Sequence, residues 1–245
     1  EMCIRDRPKY LLFLENVFPY MDNYNYQKGM KEIIQELKNF LKPKDIGTDS
    51  DRALLLDFQA TLEIKPEKAI KLEKDALAQI ENITADNARL VSNLHANLGG
   101  LYRMNGHPDL AREHMEKSIS LLDQFNLLHI NDSIPQIANY AMFLTEQQEP
   151  ERGISELQKL SGIIKEYHSD DCLDYAKVQE TLGTIYLMTA NLPQAKTHFK
   201  RAFKIYEKIW ADEPEMIEAK YQEIQELYPQ IGFCIGKNLS GLLTK

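Results

Sequence analysis

Cysteine is scarce in this sequence. Its three cysteines, Cys3, Cys172 and Cys234, lie far apart in a chain of 245 residues. A disulfide framework or a zinc site needs cysteines in a paired or closely spaced set, and neither spacing is present. Free thiols are typical of proteins in reducing compartments. The cysteine pattern therefore excludes a disulfide scaffold and predicts a cytoplasmic location.

Long hydrophobic runs and an excess of positive charge are also missing. No stretch approaches the roughly 18 consecutive apolar residues that a membrane-spanning helix needs. The formal net charge is −8, whereas binding to a phosphate backbone needs a basic face. The 10 prolines and 11 glycines are too few for a disordered chain. We therefore expect neither a membrane nor a direct nucleic-acid partner.

The motifs of common catalytic and cofactor sites are absent. There is no phosphate-binding glycine-rich loop, no G-x-S-x-G, no H-E-x-x-H and no cluster of cysteine and histidine. The six histidines are scattered, and we interpret His107 and His114 as solvated side chains. The sequence therefore predicts no enzyme activity, no cofactor and no metal site.

What the sequence does contain is a repeat with a period of 42 residues. Small residues recur at this step in two positions: Gly99, Ala141 and Gly183 in the first, and Ala69, Ala111, Gly153 and Ala195 in the second. A fixed period of this length is the mark of a repeat architecture. The alternative, a non-repetitive helical bundle, has no reason to keep one register over four copies.

Each copy has the pattern of two helices joined by a short turn. A large residue follows the first small residue by three, which places both on one helical face. Proline is tolerated at the start of a helix, where its missing N–H would have no partner; such prolines are Pro66, Pro108, Pro150 and Pro193. Four residues after the second small residue is a bulky side chain in three copies, but Glu73 in the earliest. One hairpin cannot bury its apolar seam alone, so the hairpins are expected to stack.

The tetratricopeptide repeat family resembles this pattern, through the motifs Leu98-Gly99…Tyr102…Ala111 and Leu182-Gly183…Tyr186…Ala195…Phe199. The resemblance implies an all-α fold, an α-solenoid of stacked antiparallel helix hairpins in a right-handed superhelix. The usual unit has about 34 residues, so the longer repeat here is similar to those of kinesin light chains and of many bacterial signalling proteins. Tyr140-Ala141 and Gly153 depart from the family's pattern in the middle copy.

The repeat also predicts the organisation of the chain. Residues 1–7 match the translation of the end of a transposon-based sequencing adapter, so we exclude them from the fold. We expect the true N-terminus to lie upstream. Residues 8–245 are predicted to form a single solenoid. Its hairpins are expected at about residues 10–41, 51–80, 86–125, 133–167 and 173–210, with a capping helix from residue 214.

In the family that the repeats resemble, the first helix of each hairpin lines a concave groove. This implies a surface for a protein or peptide segment formed by Asn93, Asn97, Arg103, Asn139, Met142, Lys177 and Thr181. Asn97 and Asn139 are one period apart, and their carboxamides can both donate to and accept from a peptide backbone. The alternative is that these side chains are merely solvated or satisfy a neighbouring helix.

The sequence therefore predicts a non-catalytic module that binds a protein or peptide. The resemblance to bacterial signalling proteins implies that it is the sensor or scaffold part of a larger signalling ATPase. The alternative is the peptide-pheromone-receptor part of a transcription regulator, with an N-terminal DNA-binding domain upstream. An enzyme with a catalytic centre in the repeats is a third interpretation, which the absent motifs disfavour.

Overall fold

The structure is a computed structural model that describes residues 26–42, 47–130 and 133–227. All regular secondary structure within these ranges is helical. The helices are α1 (Gln27–Phe40), α2 (Asp49–Thr61), α3 (Pro66–Leu77), α4 (Ala88–Met104), α5 (Pro108–Gln124), α6 (Ser133–Glu146), α7 (Pro150–Tyr167), α8 (Leu173–Met188), α9 (Leu192–Ile209) and α10 (Pro214–Leu227). The predicted adapter segment 1–7 and the first helix of the predicted hairpin 10–41 lie outside the described residues.

Helices α2 to α9 form four pairs, α2–α3, α4–α5, α6–α7 and α8–α9, and each pair is joined by a short loop. So short a connection makes the two helices of a pair antiparallel. Proline is the first residue of α3, α5 and α7. At the start of α2, a capping box pairs two residues: the amide of Asp51 donates to Thr48 Oγ1 at 3.2 Å, and the amide of Thr48 donates to Asp51 Oδ2 at 2.5 Å.

The turns after α4, α6 and α8 share one geometry. Gly106, Gln148 and Ala190 follow the three helices at 42-residue steps, with φ angles of 73°, 64° and 59°. In each turn, the amide of the next residue donates to the helical carbonyl five positions earlier, at 2.7 to 2.9 Å. These bonds are those of the Schellman motif, whose left-handed residue is usually glycine. Of these three turns, the first alone uses glycine.

Small residues let the two helices of a pair approach closely. A Cβ added to Gly99 on α4 would lie 2.6 Å from Met115 Cγ on α5. In the pair α6–α7 the glycine stands on the other helix, and a Cβ added to Gly153 would lie 2.6 Å from the backbone oxygen of Ala141. The departures from the family's pattern at Ala141 and Gly153 are therefore one exchange of small residues across the same seam.

The chain divides into two compact units, Glu1–Leu127 and Leu128–Lys245, which we call the N-terminal unit and the C-terminal unit. The buried apolar side chains of the N-terminal unit include Met30, Leu37, Phe58, Leu94, Leu98 and Leu122. Those of the C-terminal unit include Phe143, Leu144, Leu157, Phe199, Phe203 and Tyr206. Each unit has its own apolar core. A single solenoid over residues 8–245 stays a prediction.

Helix α10 packs against α9 in the C-terminal unit. The rings of Phe203 and Tyr221 stack with centroids 4.2 Å apart, and the hydroxyl of Tyr221 donates to Glu207 Oε1 at 3.0 Å. Ile224 is also buried. The rest of the helix is mostly polar and exposed, as is typical of the terminal element of a repeat stack.

Candidate functional site

Three of the predicted groove residues lie on α4, in the N-terminal unit. Asn93 and Asn97 are four residues apart and so share one face of the helix; Asn93 is half-buried and Asn97 is exposed. Arg103, also half-buried, lies in the last turn of the helix. This helix therefore brings two carboxamides together, while Arg103 stands more than one turn away.

The other four predicted residues lie in the C-terminal unit. Asn139 is exposed and Met142 half-buried, and both lie on one face of α6 because they are three residues apart. On α8, Lys177 is exposed and Thr181 is half-buried. The hydroxyl of Thr181 donates to the backbone oxygen of Lys177 at 3.0 Å, so it satisfies its own helix.

Asn97 belongs to a polar cluster with Asp57 on α2 and Glu73 on α3, which we call the seam cluster. Its amide nitrogen donates to Asp57 Oδ1 at 2.8 Å and to Glu73 Oε1 at 3.2 Å. A carboxamide nitrogen carries two hydrogens, and both are used here. Helices α2 and α3 of one hairpin and α4 of the next thus meet in one hydrogen-bonded group.

The register explains why this cluster was not predicted in full. Asp57 precedes Gly99 by 42 residues, and Glu73 precedes Met115 by the same step. The two carboxyl groups therefore occupy the small and the large position of the seam, which are apolar in the other pairs. Glu73 is visible in the sequence as a departure from the pattern. Asp57 is found only by stepping back once more from Gly99.

Glu73 is held in its neutral form. Its side chain is 2% exposed, and its Oε2 atom is buried and accepts no hydrogen bond within the described residues. Burial, and then the negative charge of Asp57, raises the pKa of Glu73 far above its ordinary value. A neutral carboxyl group can donate to a carboxylate. At neutral pH the pair therefore shares one proton and one negative charge.

Two histidines form a second polar cluster, between α4 and α5. The Nδ1 atoms of His95 and His114 are 2.8 Å apart, and the ring of His114 stacks on Tyr102 with centroids 5.5 Å apart. Burial, followed by the charge of His114, lowers the pKa of His95 to about 4. Burial also lowers the pKa of His114. The prediction that His114 is solvated is wrong, because the ring is half-buried against Tyr102.

The same arrangement recurs two periods later. His198 Nδ1 lies 2.9 Å from Gln179 Oε1, and the rings of His198 and Tyr186 stack with centroids 5.3 Å apart. These positions lie 84 residues after His114, His95 and Tyr102. A cavity of about 410 Å³ adjoins the first copy, lined by His95, Glu113, His114, Glu116, Lys117 and Ser120. Recurrence in two hairpins indicates that the histidines pack the helices together.

A third cluster involves α8, α9 and α10. Lys220 Nζ lies 2.9 Å from Glu180 Oε1, and the hydroxyl of Tyr206 donates to Glu180 Oε2 at 2.6 Å. The ammonium group of Lys220 also lies 5.8 Å from the centre of the Tyr206 ring. The positive charge of Lys220 compensates the negative charge of Glu180 within the chain, and the ion pair joins α10 to α8. The cluster is therefore structural.

The described ranges contain neither a metal-ligand cluster nor a membrane-spanning helix. Residues 26–42, 47–130 and 133–227 contain no group of three or more histidine, cysteine, aspartate or glutamate side chains arranged to hold a metal ion. Among the helices of these ranges, none is both long and apolar enough to cross a membrane.

The family model for the tetratricopeptide repeat matches residues 133–208. No curated protein matches the chain. The prediction of tetratricopeptide repeats is therefore confirmed for these residues, which include the middle copy with its exchanged alanine and glycine.

Several solved structures share the fold. BtubC (BKLC) from P. vanneervenii is 18% identical, with a TM-score of 0.61 over 74% of this chain and 72% of that protein. A putative kinesin light chain from Podosopora anserina with nearly identical TPR-like repeats is 13% identical, with a TM-score of 0.62 over 86% and 100%. MamA is 15% identical, with a TM-score of 0.51 over 77% and 95%. At such identities the likeness concerns the fold alone, and the predicted all-α fold of kinesin-light-chain-like repeats is confirmed.

Proposed function

We propose that the chain is a non-catalytic module that binds an extended segment of another protein on the polar faces of its first helices. Tetratricopeptide repeats are typically protein–protein interaction modules. The observation that carries the proposal is the recurrence of an exposed carboxamide, Asn97 on α4 and Asn139 on α6, at one register position of successive repeats.

Asparagine at these positions is not explained by helix formation. It is an indifferent helix former because its side chain competes for backbone hydrogen bonds. An exposed carboxamide can donate to a carbonyl of a bound peptide and accept from its amide. Asn139 is the sharper probe, since Asn97 also holds Asp57 and Glu73 in place.

The test is a selection of peptides on the full chain. A phage library of random 12-residue peptides is panned against the immobilised protein, and the affinity of recovered peptides is measured by fluorescence anisotropy. We expect Asn139→Ala to weaken binding about tenfold, which corresponds to about 1.4 kcal/mol for the loss of one or two hydrogen bonds.

Gln158→Ala, which removes an exposed carboxamide from the second helix α7, is the matched control and should leave the affinity unchanged. Failure to recover any specific peptide, or equal affinities for Asn139→Ala and the wild type, would contradict the proposal.

We also propose that this module is the sensor or scaffold part of a larger bacterial signalling ATPase in the cytoplasm. What supports it is the resemblance of the 42-residue repeats to those of bacterial signalling proteins, together with the free thiol of Cys172. A peptide-pheromone receptor joined to a DNA-binding domain is the second candidate. The gene sequence upstream of the Pro8 codon separates them: a Walker motif supports the first, and a helix-turn-helix domain of about 60 residues supports the second.

A further inference from the structure

We propose that the exposed face of α9 is a second binding surface, which takes an acidic helix of a partner protein. This face carries four lysines at steps of four residues, which we call the lysine row, with Arg201 beside it: Lys196, Lys200, Lys204 and Lys208. All five side chains are exposed. Because α9 is the second helix of its pair, this surface differs from the first-helix faces of the proposed function. The inference goes beyond that function and does not depend on it.

Most of the charge of the lysine row is not compensated by neighbouring side chains. Within the described residues, the ammonium groups of the first three lysines form no ion pair and no hydrogen bond. Lys208 is paired with Asp171, and the guanidinium group of Arg201 donates to the uncharged Gln179 Oε1 at 3.3 Å. The net charge of the chain is −8. The row is therefore a local positive region on a negatively charged protein.

The repeat itself does not require basic residues at these positions. The exposed face of a second helix needs only side chains that water can solvate. At the register positions of the last three lysines of the row, α5 and α7 have no basic residue. The residues there are Glu116, Ser120 and Gln124 in α5, and Gln158, Gly162 and Glu166 in α7. Like charges four residues apart also destabilise a helix slightly. Neither packing nor helix formation therefore explains the row.

The spacing of the row matches that of another helix. With a rise of about 1.5 Å per residue, successive lysines are about 6 Å apart along α9, and the row is about 18 Å long. A partner helix with glutamate or aspartate at every fourth position has the same step, so its carboxylates stay in register with the ammonium groups. Complementary charges of this kind determine orientation and specificity more than affinity. The row thus suits an acidic helix of about three turns.

Two other anionic partners fit this face less well. A helix that binds a membrane surface inserts apolar side chains, whereas the large apolar residues of α9 that are exposed, Leu192 and Ile209, stand at its two ends. A nucleic-acid duplex would extend beyond the helix, where the exposed side chains of Asp212, Glu213 and Glu215 would repel its phosphates. A short acidic protein helix meets neither difficulty.

The test uses the full chain and a fluorescein-labelled, alanine-based peptide of about four helical turns with glutamate at every fourth position. Binding is measured by fluorescence anisotropy in about 50 mM sodium chloride. We expect saturable binding that becomes about tenfold weaker in about 300 mM sodium chloride, because exposed charge pairs are screened by salt. A peptide of the same composition, with its glutamates distributed around the helix, should bind about fivefold more weakly because fewer carboxylates face the row.

Charge variants identify the surface that the peptide contacts. The double variant Lys200→Gln, Lys204→Gln should weaken peptide binding about threefold. Reversal in Lys200→Glu, Lys204→Glu should weaken it about tenfold, because repulsion is added to the loss of two attractive pairs. The matched control is Lys68→Glu, Lys71→Glu, which makes the same change of net charge at two exposed lysines of another second helix, α3. It should bind within about twofold of the wild type, and circular dichroism checks that every variant is folded.

The proposal is overturned if the peptide shows no saturable binding, if both peptides bind equally, or if the charge-reversed variant at positions 200 and 204 binds like the wild type. Phosphatidylserine–phosphatidylcholine vesicles and a labelled DNA duplex of the peptide's length are offered at the same salt concentration. Tighter binding of either one, lost in the charge-reversed variant, would also overturn the acidic helix as the partner. Asn139→Ala should leave the affinity for the acidic peptide unchanged, so this surface and the proposed function are tested separately.

Discussion

At the scale of single residues, one register position carries different chemistry in different repeats. The seam that is Gly99 and Met115 in one hairpin is Asp57 and Glu73 in the preceding one, where burial keeps Glu73 neutral. Likewise the partner of the stacked histidine is His95 in one hairpin and Gln179 in another. The arrangement of the helices is the same in these repeats, whereas the protonation of a side chain depends on which residues each repeat has at these positions.

The histidine pair predicts a loss of stability in acid. The pKa of His95 in the folded chain is lowered to about 4, so its contribution to stability is full above the ordinary pKa of about 6.5 and is lost as pH falls towards 4. His95→Gln copies the pair Gln179–His198. We expect urea unfolding to give similar stabilities for this variant and the wild type at pH 7. At pH 5 the variant should be about 1 kcal/mol more stable, a value reduced about twofold because the ring is partly exposed.

Equal acid sensitivity of His95→Gln and the wild type would show that the pair does not titrate as the structure implies.

At the scale of helices and turns, the Schellman motifs are more regular than the residues that form them. Gly106, Gln148 and Ala190 all have positive φ, although this conformation is unfavourable for any residue with a Cβ. Their hydrogen bonds are the same in all three turns. The packing of each helix pair therefore determines the turn conformation, and Gln148 and Ala190 adopt the left-handed conformation despite its steric cost.

This strain can be relieved. We expect Gln148→Gly to stabilise the chain by about 0.5–1 kcal/mol, because glycine adopts the left-handed conformation without steric cost. The change is measured by urea unfolding followed by circular dichroism. Gly106→Ala is the reciprocal control: no atom lies within 4 Å of the added Cβ, so its expected loss of about 1 kcal/mol reports the backbone conformation alone. A destabilised Gln148→Gly would show that the glutamine side chain contributes more than its backbone loses.

At the scale of the whole molecule, the chain has two compact units, each with an internal apolar core. In repeat proteins, stability is approximately a sum over the repeats and the interfaces between neighbours. The C-terminal unit contains two complete helix pairs and α10, which is fastened by Lys220 to Glu180 and by Tyr221 to Phe203.

We therefore expect a fragment of residues 128–245 to fold by itself. Its far-UV circular dichroism per residue should match that of the full chain, and it should unfold cooperatively in urea, because the buried side chains of its core contact one another within the fragment. Lys220→Met, which removes the ion pair with Glu180, should lower its stability by about 1–3 kcal/mol, since the partly buried carboxylate loses its counter-charge and keeps only the hydrogen bond from Tyr206. A fragment without helical signal would show that the core depends on residues before 128.

The sequence contained enough to predict the fold class and to identify the repeats. Periodicity needs no knowledge of contacts, and prolines at the starts of second helices fix where chain segments turn. The same reasoning was less informative about the middle copy. Ala141 and Gly153 looked like two departures from the pattern, whereas the structure makes them one exchange across a shared seam.

For the candidate site, the sequence identified Asn97 but not its partners. The period of 42 residues determines which side chains share a register, and by itself it determined the helical repeat fold of this protein. Only the tertiary structure decided that Asp57, Glu73 and Asn97 meet. Their meeting depends on three helices packed side by side, and burial there changes the protonation of Glu73. Periodicity is a property of the chain alone, whereas desolvation exists only once the helices have excluded water from the seam.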